Sequence, residues 1–116
     1  MNDLRTLANP FQYQDTDVRI AVDDMNNIWF SADDVCSALG INLNDEALAN
    51  INDQQQSIKV IHLDTGEDIL FVDTIGLYQL TSKLVRVKIN AFNNWVSGVV
   101  VPTLRKNGLL GEANVG

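Results

Sequence analysis

The strongest apolar pattern in this sequence lies near its C-terminal end. Apolar side chains recur there at steps of three and four residues, the spacing of one helix face: Ile89, Phe92, Val96, either Val99 or Val100, and Leu104. Pro102 should kink or interrupt this helix, because it lacks an N–H and crowds the carbonyl four residues earlier. Arg105 and Lys106 suit the negative end of the helix dipole, and Gly108 is a stop signal. The pattern predicts one long buried helix, opened by Phe92 and Trp95, against which the rest of the chain packs.

Short stretches that alternate apolar and polar residues, or are rich in β-branched residues, predict strands elsewhere. These stretches are residues 11–14, 18–22, 28–30, 57–63 and 69–72. Turn residues separate the second stretch from the third and the fourth from the fifth, so each of these two pairs is expected to form a hairpin. Residues 1–10 are polar and are expected to be loosely held.

Three shorter helices are predicted from their capping residues, since Ser31, Asn44 and Asp73 each precede a stretch with helical spacing. Asp34 stands at the reciprocal capping-box position of the first helix, which should end at Gly40. The third helix should run from Thr74 to about Lys83, with these apolar residues available for burial: Ile75, Leu77, Tyr78 and Leu80. The order of elements predicts an α+β fold, with antiparallel strands and hairpins packed against several helices and one long C-terminal helix. We interpret residues 1–116 as a single domain, with a core at about 11–108 and a flexible tail at 109–116.

Composition narrows the class of protein. The chain has 116 residues, of which 46% are hydrophobic and 20% charged, and no apolar run is long enough to span a membrane. The N-terminus lacks the layout of a signal peptide, and a single cysteine excludes an internal disulfide, so a cytoplasmic location is expected. Cys36 lies on the apolar stripe of the first helix, so we predict a small core residue rather than a reactive thiol.

Catalytic and metal sites are not expected. The acidic residues are accounted for by helix starts and turns, and the sequence has no glycine-rich phosphate loop and no G-x-S-x-G nucleophile motif. His62 is the only histidine and has no cysteine near it, which makes a metal site improbable. No cofactor and no small-molecule substrate are indicated.

The charge distribution is uneven. The net charge is −7, but five of the eight basic residues follow residue 80, where Glu112 is the only acid: Lys83, Arg86, Lys88, Arg105 and Lys106. Fourteen of the fifteen acids lie in the first 80 residues. Two interpretations remain open: a basic region that meets phosphates or an acidic protein partner, or a solvated helix flank with counter-charges nearby in the fold.

The basic residues form two clusters, one before the long helix and one at its far end. If residues 89–104 were helical throughout, the clusters would be about 24 Å apart, which could match contacts spread along a duplex. Two asparagines in the middle of the helix could read adenine edges, or could simply be surface positions of a packed helix. The candidate nucleic-acid-binding residues are Lys83, Arg86, Lys88, Asn93, Asn94, Arg105 and Lys106.

Three blocks of residues, in order, carry a resemblance to a known family. The first runs from Ile28 to Val35 and on to Ala38-Leu39-Gly40; the second is Ile75 to Leu80 with Ser82; the third comprises Phe92, Trp95-Val96, Val101-Pro102 and Leu104 to Gly108. Together they resemble the BRO-N domain of baculovirus-repeated-ORF proteins and of phage and prophage antirepressors.

The resemblance implies an α+β fold and a role in nucleic-acid binding or transcriptional control. It also implies that the basic residues of the third block and those before the long helix are candidate contacts. The first hypothesis is therefore a phage or prophage regulator or antirepressor that binds DNA through its basic C-terminal region, in the cytoplasm of a bacterial host or virus-infected cell. A homodimer is compatible with it, and a membrane partner is not indicated. The alternative is an acidic protein-interaction module that binds a repressor, or another DNA-binding protein, without contacting DNA.

Overall fold

A five-stranded antiparallel sheet forms the centre of the fold. The computed structural model describes residues 5–6, 11–23, 25–42, 58–62, 66–82 and 84–109. Its strands are β1 (Arg5–Thr6), β2 (Phe11–Tyr13), β3 (Thr16–Val18), β4 (Ile20–Val22), β5 (Ile28–Ser31), β6 (Ile58–His62) and β7 (Asp68–Val72). The large sheet has the order β1-β4-β5-β7-β6, and β2 and β3 form a separate two-stranded hairpin. The predicted β4–β5 and β6–β7 hairpins are confirmed.

The described helices pack against this sheet. In chain order they are α1 (Ala32–Leu39), α2 (Thr74–Leu80), α3 (Arg86–Trp95), a π-helical turn (Val96–Val100) and α4 (Val101–Lys106). The last three run on without a break and are called the long helix, residues 86–106. This arrangement confirms the α+β prediction. No described helix has both the length and the apolarity that a bilayer crossing requires.

Two short elements differ from the sequence-based expectation. Residues 5 and 6, expected to be loosely held, pair with β4, with Arg5 opposite Val22. The predicted strand 18–22 is two strands in different sheets, because the chain turns a corner at Arg19. The predicted Asn44 helix lies outside the described residues, and so do residues 110–116 of the predicted tail 109–116; Leu109, the first residue of that tail, donates its N–H to the Leu104 carbonyl at 3.0 Å.

Asp34 holds the corner at Arg19. Its Oδ2 accepts hydrogen bonds from the Arg19 backbone N–H and from Nε, both at 2.8 Å, and its Oδ1 accepts one from Nη2 at 3.1 Å. The side-chain hydrogen bond to Asp34 raises the pKa of Arg19. The Ser31 hydroxyl caps α1 by accepting from the Asp34 N–H, as predicted, but the Ser31 N–H donates to the Arg19 carbonyl at 2.9 Å. Asp34 therefore holds the corner at Arg19. Its side chain does not accept from the Ser31 N–H, as a capping box would require.

Asp23 fixes the turn between β4 and β5. Its side chain, only 5% exposed, accepts hydrogen bonds from the backbone N–H groups of Met25 and Asn27, from the Asn27 amide and from the Trp29 indole N–H. Burial pushes the pKa of Asp23 up, but the hydrogen bonds from Trp29, Asn27 and Met25 together outweigh it, so the pKa lies below its ordinary value.

The main core lies on the face of the sheet that carries the helices. It joins Ile20, Val22, Phe30 and Val72 of the sheet to buried side chains of all four helices, including Val35, Leu77, Phe92 and Leu104. The opposite face carries a smaller cluster of Ala21, Trp29, Ile69 and Phe71. Because successive strand side chains point to opposite faces, both layers follow from the period-two pattern of β4, β5 and β7.

Aromatic rings attach the long helix to the hairpin. Tyr13 of β2 contacts Phe92 and Trp95, with ring centroids 5.1 Å apart in both pairs, and Phe11 meets Trp95 edge-on at 6.3 Å. Phe30 of the sheet meets Phe92 at 6.3 Å. Such tilted and edge-to-face pairs each contribute about 0.5–1.5 kcal/mol beyond burial. Trp95 is half-buried, so of the two aromatic residues predicted to open the helix face, Phe92 is the fully buried one.

The π turn keeps the core face of the long helix in register. Phe92, Val96, Val100 and Leu104 are spaced by four residues three times, and Phe92, Val100 and Leu104 are buried. In a regular α-helix twelve residues would carry the face about 120° around the axis. Here the Val101 N–H donates to the Val96 carbonyl five residues back, so one turn holds an extra residue and the drift falls to about 20°. The interruption predicted from Pro102 is thus a widened turn just before it, and Val100 rather than Val99 is the buried residue.

The surface of α2 is more apolar than expected. Leu77 and Leu80 are buried as predicted, but Ile75 and Tyr78 are 44% and 65% exposed, so their predicted burial is wrong. The helix also ends at Leu80, earlier than predicted. Asp73 caps it as expected, with its Oδ1 accepting from the Gly76 N–H at 2.9 Å. A seven-residue helix buries only one stripe, so side chains on its other side face solvent.

Candidate nucleic-acid interface

The stretch from residue 74 to residue 109 contains no aspartate and no glutamate. It includes α2 and the whole long helix, so the C-terminal helical layer has only cationic charges. All acids of the described structure precede residue 74. They lie in the β2–β3 hairpin, the β4–β5 turn, α1 and the region around β7, and Asp15, Asp17 and Glu67 are exposed examples. The charge asymmetry of the sequence therefore becomes a division between the C-terminal helices and the rest of the described structure.

The long helix begins with a concentration of positive charge. We expected Arg86 and Lys88 to precede the helix, but it begins at Arg86, so both lie in its first turn and both are exposed. Val85 is the N-cap residue, and no side chain caps the free N–H groups there. These N–H groups carry the positive end of the helix dipole, which adds to the charges of Arg86 and Lys88.

The second cationic pair is at the other end of the long helix, as predicted. Arg105 and Lys106 are exposed in the last turn of α4. Gly108 adopts a left-handed φ of 75°, and its N–H and that of Leu109 close the helix on the carbonyls of Arg105 and Leu104. The helix end is thus well defined, and the two cations project from an ordered turn.

Helix geometry decides which of these cations share a side. Because the π turn absorbs one residue, Arg86 and Arg105 are separated by about five whole turns and face the same side, about 28 Å apart. Lys106 is about 100° from them around the axis, and Lys88 about 160°. The structure therefore brings Arg86 and Arg105 into line, with Lys106 beside them, and places Lys88 on a different side of the helix. Lys83 lies outside the described residues.

The two candidate asparagines do not lie together. Asn94 is exposed, whereas Asn93 is half-buried and lines a pocket between α2 and α3. Asn90 and Ser97, which were not among the predicted residues, are exposed on the same side as Asn94. Their spacing of four and three residues from Asn94 is the sequence signal that could have identified them.

The described cations of this stretch are not neutralised by described acids. Arg86, Lys88, Arg105 and Lys106 make no ion pair within the part of the chain that the structure describes, where the Arg19–Asp34 pair is found at 2.8 Å. Solvated cations of this kind remain available to an anionic partner, since no internal charge must first be displaced.

The described residues contain no cluster of metal-ligating side chains, and Cys36 is buried. Within the described residues no group of three or more His, Cys, Asp or Glu side chains could hold a metal ion. Cys36 is buried at 2% exposure, which confirms its prediction as a core residue. Burial and the neighbouring Asp33 raise the pKa of Cys36 to about 11, so the nucleophilic thiolate is scarce near neutral pH.

Comparisons with known proteins identify the family of this chain. An uncharacterized protein of Haemophilus influenzae is 29% identical over 101 residues, which cover 84% of this chain and 50% of that protein. The chain thus spans about half the length of that relative. No solved structure matches the chain significantly. Residues 17–102, from β3 into α4, match the family model described as BRO family, N-terminal domain. Because that match covers most of the sequence, the chain belongs to the BRO family and contains its N-terminal domain.

Proposed function

We propose that this protein is a phage or prophage regulator or antirepressor of the BRO-N type, which binds DNA through the basic C-terminal helical layer to control transcription. The observation that carries the proposal is the acid-free stretch 74–109, with exposed cations at both ends of one ordered helix and no ion pair to described acids. Membership of the BRO family supports a regulatory role. The proposal takes residues 1–116 as one domain acting in the cytoplasm, and a homodimer would double its set of cations.

The geometry supports phosphate contacts along a duplex. Arg86 and Arg105 face the same side about 28 Å apart, slightly less than one turn of B-DNA at about 34 Å. The surface between them carries Asn90, Asn94 and Ser97, which are polar and uncharged. Cations would thus position the helix on the backbone, while amide and hydroxyl groups lie where base or sugar contacts are made. Asn93 contributes less than expected, because it lines the pocket.

The proposed contacts set the expected salt dependence. Arg86, Arg105 and Lys106 would neutralise about three phosphates, which gives a slope of about −3 in a plot of log K against log salt concentration. Between about 50 and 200 mM salt the affinity should then fall by about 40-fold. The test is fluorescence anisotropy of the purified chain with labelled duplex DNA, including phage operator sequences, across this range. An affinity independent of salt would refute phosphate binding.

A charge-reversal pair identifies the residues. Replacing Arg105→Glu together with Lys106→Glu should weaken DNA binding at least about tenfold and make the slope shallower by about 2, with an unchanged far-UV circular dichroism spectrum. The matched control is Arg105→Lys with Lys106→Arg, which keeps both charges and should keep the slope. If the reversed pair binds as tightly as the wild type, these two residues are not contacts.

The exposed acids before residue 74 favour a second candidate function. In it the protein is an interaction module that binds a repressor or another DNA-binding protein without contacting DNA. Its specific support is the exposed acids of the hairpin and the β6–β7 turn region, including Asp15, Asp17 and Glu67. The second function replaces the first if no DNA binds at low salt and a repressor binds the wild type but not the double variant Asp17→Asn with Glu67→Gln. The control is Asp33→Asn, which neutralises another exposed acid, on α1.

A further inference from the structure

A mainly apolar pocket lies between α2 and the long helix, and the proposed DNA contacts do not fill it. We call it the α2–α3 pocket. It measures about 130 Å³, and Thr74, Leu77 and Tyr78 of α2 face Ile89, Asn93 and Val96 of the long helix across it. Phe30 and Phe92 of the core lie at its base. It is therefore a notch that reaches from the surface to the aromatic core.

Its size limits what can occupy it. Sites for drug-sized ligands and cofactors usually measure about 300–1,000 Å³, well above this volume, whereas an apolar cavity of about 150 Å³ holds a benzene ring. One ring-sized apolar group fits the α2–α3 pocket, and a complete metabolite does not. An apolar side chain that belongs to a larger partner is such a group.

The surroundings of the pocket extend the contact beyond its mouth. Tyr78 lies at the rim with 65% of its surface exposed, Ile75 is one turn earlier on α2 at 44%, and Val85 before the long helix is 59% exposed. Val85 is one turn before Ile89, which lines the pocket, so it lies on the same helix face. A pocket for one anchor with exposed apolar side chains beside it is the arrangement of a protein-binding hot spot.

Charge decides which partner suits this surface. Arg86 precedes Ile89 by three residues and Asn93 by seven, so it lies along the same helix face as the pocket. No acid occurs between residues 74 and 109, and the uncapped first turn of the long helix adds positive potential. The half-buried Asn93 amide makes no hydrogen bond to the described residues and can pair with a peptide group. A partner that inserts an apolar group here must do so beside positive charge.

We infer that the α2–α3 pocket is a docking site for an acidic peptide segment of a partner protein. The segment inserts one ring-sized apolar side chain between Leu77 and Ile89 and places its carboxylates beside Arg86. This inference goes beyond the proposed DNA binding, because the pocket and Tyr78 are needed only for the peptide, whereas Arg86 takes part in both.

The test uses labelled ten-residue peptides and fluorescence anisotropy with the full chain. The first peptide has a central phenylalanine flanked by glutamates; in the others alanine replaces the phenylalanine, or lysines replace the glutamates. The acidic phenylalanine peptide should bind at least about tenfold more tightly than either of the others. In the complex, the methyl NMR signals of Leu77, Ile89 and Val96 should shift.

Matched variants separate the pocket from general attraction. Tyr78→Glu and Arg86→Glu should each weaken the peptide about tenfold. Met25→Glu changes another exposed apolar residue, 77% exposed in the β4–β5 turn, and should have less than about a twofold effect. Lys106→Glu makes the same charge change as Arg86→Glu about 30 Å away along the helix, and should also leave peptide binding nearly unchanged.

Several results would overturn the inference. There is no anchored site if the acidic phenylalanine peptide does not bind, or if the alanine peptide binds as tightly. The same holds if Lys106→Glu weakens the peptide as much as Arg86→Glu does. Binding of free indole with the same methyl shifts and no gain from the peptide would make it a small-molecule site. Self-association that Tyr78→Glu abolishes would assign the pocket to a second copy of this chain, and the same shifts with duplex DNA would assign it to nucleic acid.

Discussion

Deleting Gly98 from the π turn should be tolerated far better than inserting a residue at the same place. Phe92, Val96, Val100 and Leu104 are now spaced by four, four and four residues. Without Gly98 the spacing becomes four, three and four, which is the face of a regular α-helix, so the core residues stay in register once the π turn is lost. An alanine inserted after Gly98 adds a second extra residue, which the single π turn cannot absorb.

The two changes should differ clearly in free energy of unfolding. The deletion places Pro102 inside a regular helix at about 3 kcal/mol and removes a helical glycine, which returns about 1 kcal/mol, for a net loss of about 2 kcal/mol. The insertion turns Val100 and Leu104, both fully buried, about 100° away from the core. Loss of one buried leucine alone corresponds to about 2–5 kcal/mol, so the insertion should destabilise by at least about 4 kcal/mol.

Urea unfolding followed by circular dichroism measures both values, and the melting temperature should fall by about 4 °C for each kcal/mol in a chain of this length. Combining the deletion with Pro102→Ala should recover the proline penalty and restore stability to within about 1 kcal/mol of the wild type. In a uniform helix a deletion and an insertion would rotate the core face by equal and opposite amounts. Equal losses from the two changes, or no recovery with Pro102→Ala, would refute the register argument.

Other contacts of the fold give three further predictions. Asp23→Asn should destabilise by about 1–3 kcal/mol at pH 7, measured by urea unfolding. The folded pKa of Asp23 is lowered, so its contribution to stability is present above the unfolded pKa of about 3.9 and is lost as the pH falls through the folded pKa. Between pH 5 and 3 the Asp23→Asn variant should therefore lose less stability than the wild type. Parallel plots of unfolding free energy against pH would contradict this. Asp34→Ala should lower the free energy of unfolding by about 1–3 kcal/mol, because it removes the hydrogen bonds to Arg19. The neighbouring Asp33→Ala should change it by less than about 0.5 kcal/mol. An equally large loss of stability in Asp33→Ala would show that the contacts to Arg19 are not the cause. Cys36, with a pKa of about 11, should react with a thiol reagent at pH 7.5 only in urea, and rapid labelling of the native chain would show that the thiol is accessible.

Local physics made much of the fold predictable. The capping side chains of Ser31 and Asp73, the stop at Gly40 and the apolar stripe of α1 depend on neighbours within four residues, and the structure has each of them. The two hairpins also follow from short-range alternation and turn residues. Such features can be derived from sequence because all the interacting groups lie within one short stretch.

Arg19 and Tyr78 show where local reasoning ended. A continuous β pattern across residues 18–22 gave no sign of a corner, because the corner depends on Asp34, fifteen residues away. Helical spacing identified four apolar residues on α2 but not which of them would meet the sheet. Ile75 and Tyr78 lie on the side of α2 that faces solvent, and Tyr78 lines the α2–α3 pocket.

For the candidate interface, the sequence by itself determined the charges and their order along the chain. It placed five of the eight basic residues after residue 80 and kept acids out of residues 74–109. The apolar spacing and the stop signal at Gly108 put Arg105 and Lys106 in a last turn. Only the tertiary structure decided how these charges are arranged in space. The start of the helix at Arg86 and the extra residue in the π turn bring Arg86 and Arg105 to one side, turn Lys88 away and direct Asn93 into the pocket. The physical reason is that a residue's side of a long helix depends on every turn before it, so one widened turn shifts all the residues that follow.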